Sequence, residues 1–155
     1  MPVRAFRPDD AAAIAALFYA AVHEIAGRDY SERQVRAWAP DVPSVDRILR
    51  WAGDGRLFLV ATDREDAPLA FCDLEADGHI DHLFCRPDVA GIGVASGLYD
   101  TLEAAARTQG LALLYVEASE PARRFFLRKD FAVTERRDFE IGGVPIHNYR
   151  MEKRL

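Results

Sequence analysis

The sequence predicts an α+β fold, in which helices and β-strands enclose one hydrophobic core. Three observations predict it. Apolar residues near the N-terminus have helical spacing, the middle of the chain has short apolar runs typical of strands, and a helical pattern returns between two strand-like runs. The 155 residues suit one domain, which we place at residues 1–155. Half of the residues are apolar and 29% are charged, a globular composition.

Helices dominate the first third of the chain. A short strand at Val3 to Arg7 is followed by a helix whose apolar residues, at positions 14, 17, 18, 21, 22 and 25, form one face. Ser31 with Gln34 has the capping-box pattern of a second helix, and Ser44 is a candidate cap for a third. These helices precede the main part of the sheet.

Six further strands are expected after these helices. The first three should pair as an antiparallel meander, because only short turns separate them. A helix from Val94 to Gly110 then leads into a buried strand, which gives a β-α-β crossover. A short helix opening at Ser119 and a hairpin complete the chain. The six strands are residues 57–62, 69–75, 79–85, 111–117, 132–141 and 144–152.

The charge and apolar pattern disfavour several partners. A net charge of −5 and a pI near 5.4 disfavour the nucleic-acid backbone, which needs a basic field. No continuous apolar run approaches the roughly 20 residues that span a bilayer, and the N-terminus lacks the apolar segment of a signal peptide. We therefore expect a cytoplasmic protein with no membrane partner.

The cysteines and histidines do not predict a metal site. Cys72 and Cys85 are the only cysteines, and we expect both to be reduced. His23 and Glu24 begin like the helix of a zinc protease, but Gly27 stands where the second histidine is needed.

The segment from Ile80 to Leu98 carries the strongest chemical signal. It combines a strand, a turn with Gly91 and Gly93, and the start of a helix. The first turn of a helix has unpaired N–H groups at the positive end of its dipole, and glycines have no side chain to block an approaching anion. The pattern indicates anion binding by the main chain.

This segment resembles motif A of the GNAT acetyltransferases, in which a hydrophobic strand precedes Pro-(Asp/Glu)-x-(Gln/Arg)-x-x-Gly-x-(Gly/Ala). Pro87, Asp88, Gly93 and Ala95 match that motif, whereas Ala90 stands where Gln or Arg is usual. Residues 122–131 resemble the family's Ala-x-x-Phe-Tyr-x-x-x-Gly-Phe segment, and residues 148–153 resemble its closing strand. The resemblance extends over the whole chain.

The resemblance implies a three-layer fold: a mixed, mostly antiparallel seven-stranded sheet with helices on both faces, split between strands 4 and 5 so that acetyl-CoA wedges into the opening. It implies an N-acetyltransferase that moves an acetyl group from acetyl-CoA to a primary amine by direct attack in a ternary complex. No metal is implied. The expected cofactor contacts are the backbone of Leu83, Phe84 and Cys85, the pyrophosphate site at Gly91, Ile92, Gly93, Val94, Ala95 and Ser96, and the side chains of Ser119 and Phe126.

The catalytic acid and base are less determined. Relatives usually supply the acid from the tyrosine at position 126, where this chain has Phe126, which has no proton to give. Tyr149 or Tyr115 can substitute, solvent can protonate the thiolate, or catalysis is slow or lost. Ser119 is equally a helix cap.

Asp81 and His82 are our candidates for the base. Strand alternation places His79 and Asp81 on one face and His82 on the other. The structural alternative is that Asp81 pairs with a basic neighbour and His82 is a half-buried strand residue. Glu117 reads as a strand-end carboxylate facing water.

Two rival functions remain. A dinucleotide-binding unit fits Gly91-x-Gly93 before a helix, but Gly91 lies too far after the strand and there is no second mononucleotide half. A non-catalytic acyl-CoA sensor or interaction module on the same fold is suggested by Phe126. The sequence also leaves open a small-molecule or peptide amine as acceptor, and a monomer or a homodimer.

Overall fold

The computed structural model describes all 155 residues and contains eight strands and five α-helices. The strands are β1 (Val3–Ala5), β2 (Leu57–Thr62), β3 (Pro68–Leu74), β4 (His79–Ile80), β5 (Leu83–Cys85), β6 (Leu113–Ala118), β7 (Ala132–Ile141) and β8 (Val144–Arg154). The helices are α1 (Ala11–Glu24), α2 (Glu32–Trp38), α3 (Val45–Ala52), α4 (Val94–Thr108) and α5 (Glu120–Arg128). The predicted α+β class is confirmed.

The strand predicted at residues 79–85 is broken, which makes eight strands where seven were expected. The N–H of Glu75 donates to the carbonyl of His79, and the N–H of Asp73 donates to the carbonyl of His82. Between these two hydrogen bonds the first strand advances two residues, from 75 to 73, whereas the second advances three, from 79 to 82. The second strand therefore contains one extra residue. This is a β-bulge, which bends a strand and redirects its side chains.

The sheet forks at the bulge. β4 pairs with β6 in parallel, with His79 opposite Tyr115, whereas β5 pairs only with β3, with Phe84 opposite Phe71. One branch therefore has the strand order β1-β2-β3-β5 and the other has β4-β6-β8-β7. The opening between β5 and the end of β6 is the predicted split.

Helices cover both faces of the forked sheet. One core cluster packs α4 and α5 against the sheet and includes Leu98 and Phe126, while the other packs α1, α2 and α3 on the opposite face and includes Ile14 and Ile48. All four of these side chains are at most 1% exposed. Their burial, at roughly 1.5–3 kcal/mol for each large apolar side chain, fixes the layers that position the fork.

Side-chain caps set the starts of three helices as the sequence indicates. Ser31 and Gln34 form a reciprocal capping box on α2. Ser44 accepts a hydrogen bond from the N–H of Arg47 on α3, and Ser119 accepts one at the start of α5. Each such cap contributes about 1 kcal/mol to helix stability.

The segment Pro8–Arg28 is long and apolar enough to cross a membrane by length and composition, with a mean hydropathy of 1.2. Half of its 18-residue window is buried inside the protein. The apolar face of α1, which includes Ile14, Phe18 and Val22, packs in the core, so this segment has the character of a core helix.

Candidate active site

A cleft of about 370 Å³ lies at the fork of the sheet. Its walls come from the bulge, the ends of β6 and β8, strand β7, and the helices α1, α2, α3 and α5. Aromatic side chains form much of the lining, and charged side chains face it from β4, β6 and β7. This combination of apolar walls with a few polar groups is typical of a small-molecule site.

The bulge places His79, Asp81 and His82 around the same cleft. Strand alternation had separated His82 from the other two, and that expectation is wrong. The physical reason is the extra residue, which interrupts the two-residue period of the strand. Both candidates for the base thus reach the site together.

His82 is held by a buried carboxylate. Its Nδ1 lies 2.8 Å from Oδ2 of Asp73, and its backbone N–H donates to Oδ1 of the same side chain at 2.6 Å. Trp51 stacks on the imidazole with 4.1 Å between ring centroids. Because a carboxylate accepts hydrogen bonds, this contact places the proton of neutral His82 on Nδ1 and leaves Nε2 with a lone pair.

The Nε2 atom of His82 has no hydrogen-bond partner within the protein. Every buried side-chain nitrogen and oxygen does have a partner, so this nitrogen is accessible to solvent. His82 lines the cleft. The imidazole is therefore a positioned proton acceptor.

Arg56 lies among the carboxylates behind His82. Its guanidinium is 2.9 Å from Asp73, 2.7 Å from Asp81 and 2.8 Å from Asp54. Two groups here, Asp73 with Asp81 and His82, and Glu75 with His79 and Asp81, have the side-chain types and spacing of cation ligands. The cation that contacts Asp73 and Asp81 in this structure is the guanidinium of Arg56.

Asp81 is thus paired with a basic neighbour, as the structural alternative proposed. Burial raises the pKa of its carboxyl group. The charge that His82 carries when it is protonated, with the hydrogen bond and charge of Arg56, outweighs burial and lowers that pKa overall. An ionised, paired carboxylate is a weak proton acceptor. The geometry therefore favours His82 over Asp81 as the base.

His79 bridges two carboxylates. Its Nε2 lies 2.6 Å from Glu117, its Nδ1 lies 2.7 Å from Glu75, and its ring stacks on Tyr115. The hydrogen bond to Glu117, with that to Glu75, raises the pKa of His79 to about 9. The imidazole is therefore a cation at neutral pH. Glu117 is its ion-pair partner and not a free carboxylate facing water.

The hydroxyls of both tyrosines proposed as acids are bonded to carboxylates. The hydroxyl of Tyr149 donates to Oε1 of Glu120 at 2.7 Å, and that of Tyr115 donates to Asp77. Neither side chain lines the cleft, whereas Phe126 does and is 1% exposed. The role of Tyr149 as an acid stays a prediction, and these contacts do not favour it.

One edge of β5 is open. The carbonyl of His82 and the N–H of Arg86 bond to β3, and in an antiparallel ladder the groups in between alternate. The backbone groups of Leu83 and Cys85 therefore point to the open edge, while those of Phe84 face β3. Of the three predicted backbone contacts, Leu83 and Cys85 are available to an added strand, and Phe84 instead contributes its ring to the cleft.

The glycine loop precedes α4. Gly91 and Gly93 have φ of +79° and +95°, and a Cβ at either would meet nothing within 4 Å. None of the six N–H groups from Gly91 to Ser96 donates a hydrogen bond within the protein. This run of free donors at a helix start has the chemistry of a phosphate site.

Ser119 caps α5 and also lines the cleft, so both predicted roles remain compatible. The fold also brings Asp73, Glu117 and Arg137 to the site, and no sequence motif predicts a functional role for any of them. Asp73 is a charged residue at the end of an apolar run in β3, and this was the one local signal of a buried functional carboxylate.

Residues 26–153 match the family described as the acetyltransferase (GNAT) domain. YafP, an uncharacterized N-acetyltransferase of Escherichia coli K12, is 28% identical over 152 residues, which cover 96% of this chain and 93% of YafP.

Solved structures show the same fold. A GCN5-related N-acetyltransferase from Rhodopseudomonas palustris has a TM-score of 0.91 and 34% identity, covering 99% of this chain and 95% of that one. YncA from Salmonella typhimurium, solved with its cofactor acetyl-CoA, has a TM-score of 0.74 and 19% identity, covering 100% of this chain and 94% of that one.

Proposed function

Because this chain belongs to the GNAT acetyltransferase family and is an acyltransferase, we propose that it moves the acetyl group of acetyl-CoA to a primary amine by direct attack in a ternary complex. Residues 1–155 form one catalytic domain in this proposal. The observation that carries it is the free Nε2 of His82 beside the open edge of β5. A base and an unpaired strand edge meet there at the fork of the sheet.

Acetyl-CoA fits the fork and the glycine loop together. The six free N–H groups from Gly91 to Ser96 offer donors to its pyrophosphate, and the space beside Gly91 and Gly93 admits it. Pantetheine carries amides that can pair with the open edge of β5 at Leu83 and Cys85, as an added strand does. Ser119 and the ring of Phe126 face the same cleft. The structure of Salmonella YncA, which has the same fold, was solved with acetyl-CoA, and this supports acetyl-CoA as the cofactor.

His82 is the proposed general base. Its Nε2 takes a proton from the amine, while Asp73 keeps the ring oriented and stabilises the imidazolium that forms. The neutral amine nitrogen then attacks the thioester carbonyl carbon and a C–N bond forms. The tetrahedral intermediate loses its extra N–H proton to solvent, the C–S bond breaks, and His82 returns its own proton to solvent, from which the thiolate takes one. An N–H at the open edge of β5 stabilises the oxygen that gains charge, a contribution of about 2.7–4 kcal/mol in other acyl transfers.

The leaving thiolate is protonated by solvent in this proposal. Phe126 has no proton, and the hydroxyls of Tyr149 and Tyr115 are bonded to carboxylates outside the cleft. Solvent suffices because a thiolate is a good leaving group without prior protonation; a cysteine thiol, for comparison, has an unperturbed pKa of about 8.5. No covalent enzyme intermediate is required, and no metal enters a step.

Calorimetric titration with acetyl-CoA, followed by an amine panel with thiol detection, tests the proposal. We expect binding, amine-dependent release of CoA thiol, and initial-rate lines that intersect as in a ternary complex. Parallel lines would instead indicate an acetyl-enzyme. Binding without release from any amine would identify a non-catalytic sensor, and absence of binding would exclude the proposal. A cytoplasmic location and a monomeric or homodimeric state are further proposals.

A further inference from the structure

Two arginines in the cleft have no acidic partner. Arg137 on β7 and Arg47 on α3 both line it, and neither lies within 4.0 Å of a carboxylate oxygen. Arg56, by contrast, forms ion pairs with Asp73 and Asp81. A guanidinium stays charged at every physiological pH, so the cleft contains cations that the protein itself does not neutralise.

The acidic groups at the cleft are already bonded elsewhere. Asp81 pairs with Arg56, and Glu117 pairs with His79. The hydrogen bond from His79 is the main cause that lowers the pKa of Glu117, and the more distant charge of Arg137 adds to it. The carboxylates of Asp81 and Glu117 are therefore satisfied by Arg56 and His79, and neither is within ion-pair distance of Arg137.

Arg137 is held in place for a ligand. Its Nη1 donates to Oδ1 of Asn148 at 3.1 Å, and the guanidinium lies 5.5 Å from the ring centroid of Phe139. Its other N–H groups have no partner within the protein. A fixed guanidinium with free donors matches the two oxygens of a carboxylate. Arg47, above the Trp51 ring, adds positive charge at the rim.

The rest of the lining limits the size and polarity of the acceptor. Trp38, Phe84, Phe139 and Ile146 provide an apolar wall. The volume of about 370 Å³ is near the lower end of the roughly 300–1,000 Å³ found for small-molecule sites, and in the proposed complex the acceptor shares it with the pantetheine end of acetyl-CoA. A compact molecule with an apolar body fits this space better than a folded protein surface.

We propose, on the basis of the transferase function above, that the acceptor is an amino acid in the broad sense: a small primary amine with an apolar or aromatic body and a carboxylate. Arg137 binds the carboxylate, and the aromatic wall contacts the body. The amine is thereby presented to Nε2 of His82. Because Arg137 has no carboxylate of the protein as a partner, it favours an amine that brings its own carboxylate.

The test compares amines that differ only by a carboxylate. Suitable pairs are phenylalanine with phenethylamine, 4-(aminomethyl)benzoate with benzylamine, and 5-aminopentanoate with pentylamine, which also vary the distance between amine and carboxylate. Thiol release is measured with saturating acetyl-CoA. A charge-assisted hydrogen bond predicts that the carboxylated member of at least one pair has a kcat/KM about 10-fold higher or more.

Two variants test whether Arg137 causes the preference for the carboxylated amine. Arg137→Gln should abolish the preference by raising KM for the carboxylated member of the pair. Arg136→Gln changes the adjacent, exposed arginine of the same strand and should preserve it. A preference that survives Arg137→Gln would overturn the assignment. Equal or better turnover of the decarboxylated member in every pair would overturn the inference but leave the transferase function intact, whereas no thiol release from any amine would overturn both.

Discussion

Asp73 and His82 are joined by two hydrogen bonds, one from the ring Nδ1 at 2.8 Å and one from the backbone N–H at 2.6 Å. The same carboxylate fixes the position of the bulge and the orientation of the imidazole. Because Asp73 is 0% exposed and also receives Arg56, the pair is rigid. The shape of the bulge and the orientation of the proposed base therefore both depend on the side chain of Asp73.

His82→Gln should lower kcat by about 10²–10⁴-fold, the usual contribution of a positioned general base. Acetyl-CoA affinity should not change, since the ring does not belong to the glycine loop. His23→Gln is the control, because His23, which lies on α1, bonds to the carbonyl of Ala39 and is outside the cleft lining. Steady-state kinetics and calorimetry measure the two effects. A His82→Gln enzyme with normal kcat would rule out this base.

Gly93→Ala should weaken acetyl-CoA binding about 10-fold or more, because its new Cβ enters the space where the pyrophosphate approaches. Gly55→Ala is the matched control, since Gly55 also has a positive φ, +89°, and open space around it. Both variants should lose about 1–2 kcal/mol of unfolding free energy from left-handed strain. Only the first should change the dissociation constant measured by calorimetry; equal losses of affinity would contradict the phosphate site.

The stability of the protein should fall as the pH rises from 7 to above 9. The pKa of His79 is raised by Glu117 and Glu75 from 6.5 to about 9, so its stabilising effect is complete below pH 6.5 and is lost as pH rises through 9. The side chain is 17% exposed, and after allowance for screening we expect a loss of about 2 kcal/mol.

Urea unfolding at several pH values measures this loss. His79→Gln should be less stable at pH 7 and should show a flatter profile between pH 7 and 9.5. Glu75, Glu117, Asp81 and Arg137 are the charged groups that face or surround this imidazole. If the variant keeps the slope of the parent protein, the titrating group is not His79.

Tyr149→Phe should leave kcat within about 2-fold, because solvent and not this hydroxyl protonates the thiolate in our proposal. The change removes one hydrogen bond to Glu120, which keeps its contacts with His147 and Arg123. We expect a loss of about 0.5–1.5 kcal/mol in unfolding free energy. Tyr115→Phe is the second variant, and it tests the other tyrosine proposed as an acid in the same way. A large fall in kcat for Tyr149→Phe, with the pH–rate profile losing its alkaline limb, would instead identify Tyr149 as the acid.

The sequence by itself determined the order of the elements, the capped starts of α2, α3 and α5, and the glycine loop before α4. These features are local. A cap needs residues three apart, an amphipathic helix needs a period of 3.6, and a phosphate loop needs glycines next to a helix start. The family resemblance added the split in the sheet.

Only the tertiary structure decided which side chains meet in the cleft. One extra residue between Ile80 and Leu83 breaks the strand period, and no local pattern marks where a bulge will form. His82 then reaches Asp73 on the neighbouring strand, and Arg137 arrives from a hairpin far along the chain. Such contacts join residues that are distant in sequence, so their chemistry depends on the register and packing of the sheet, which the order of residues along one strand does not reveal.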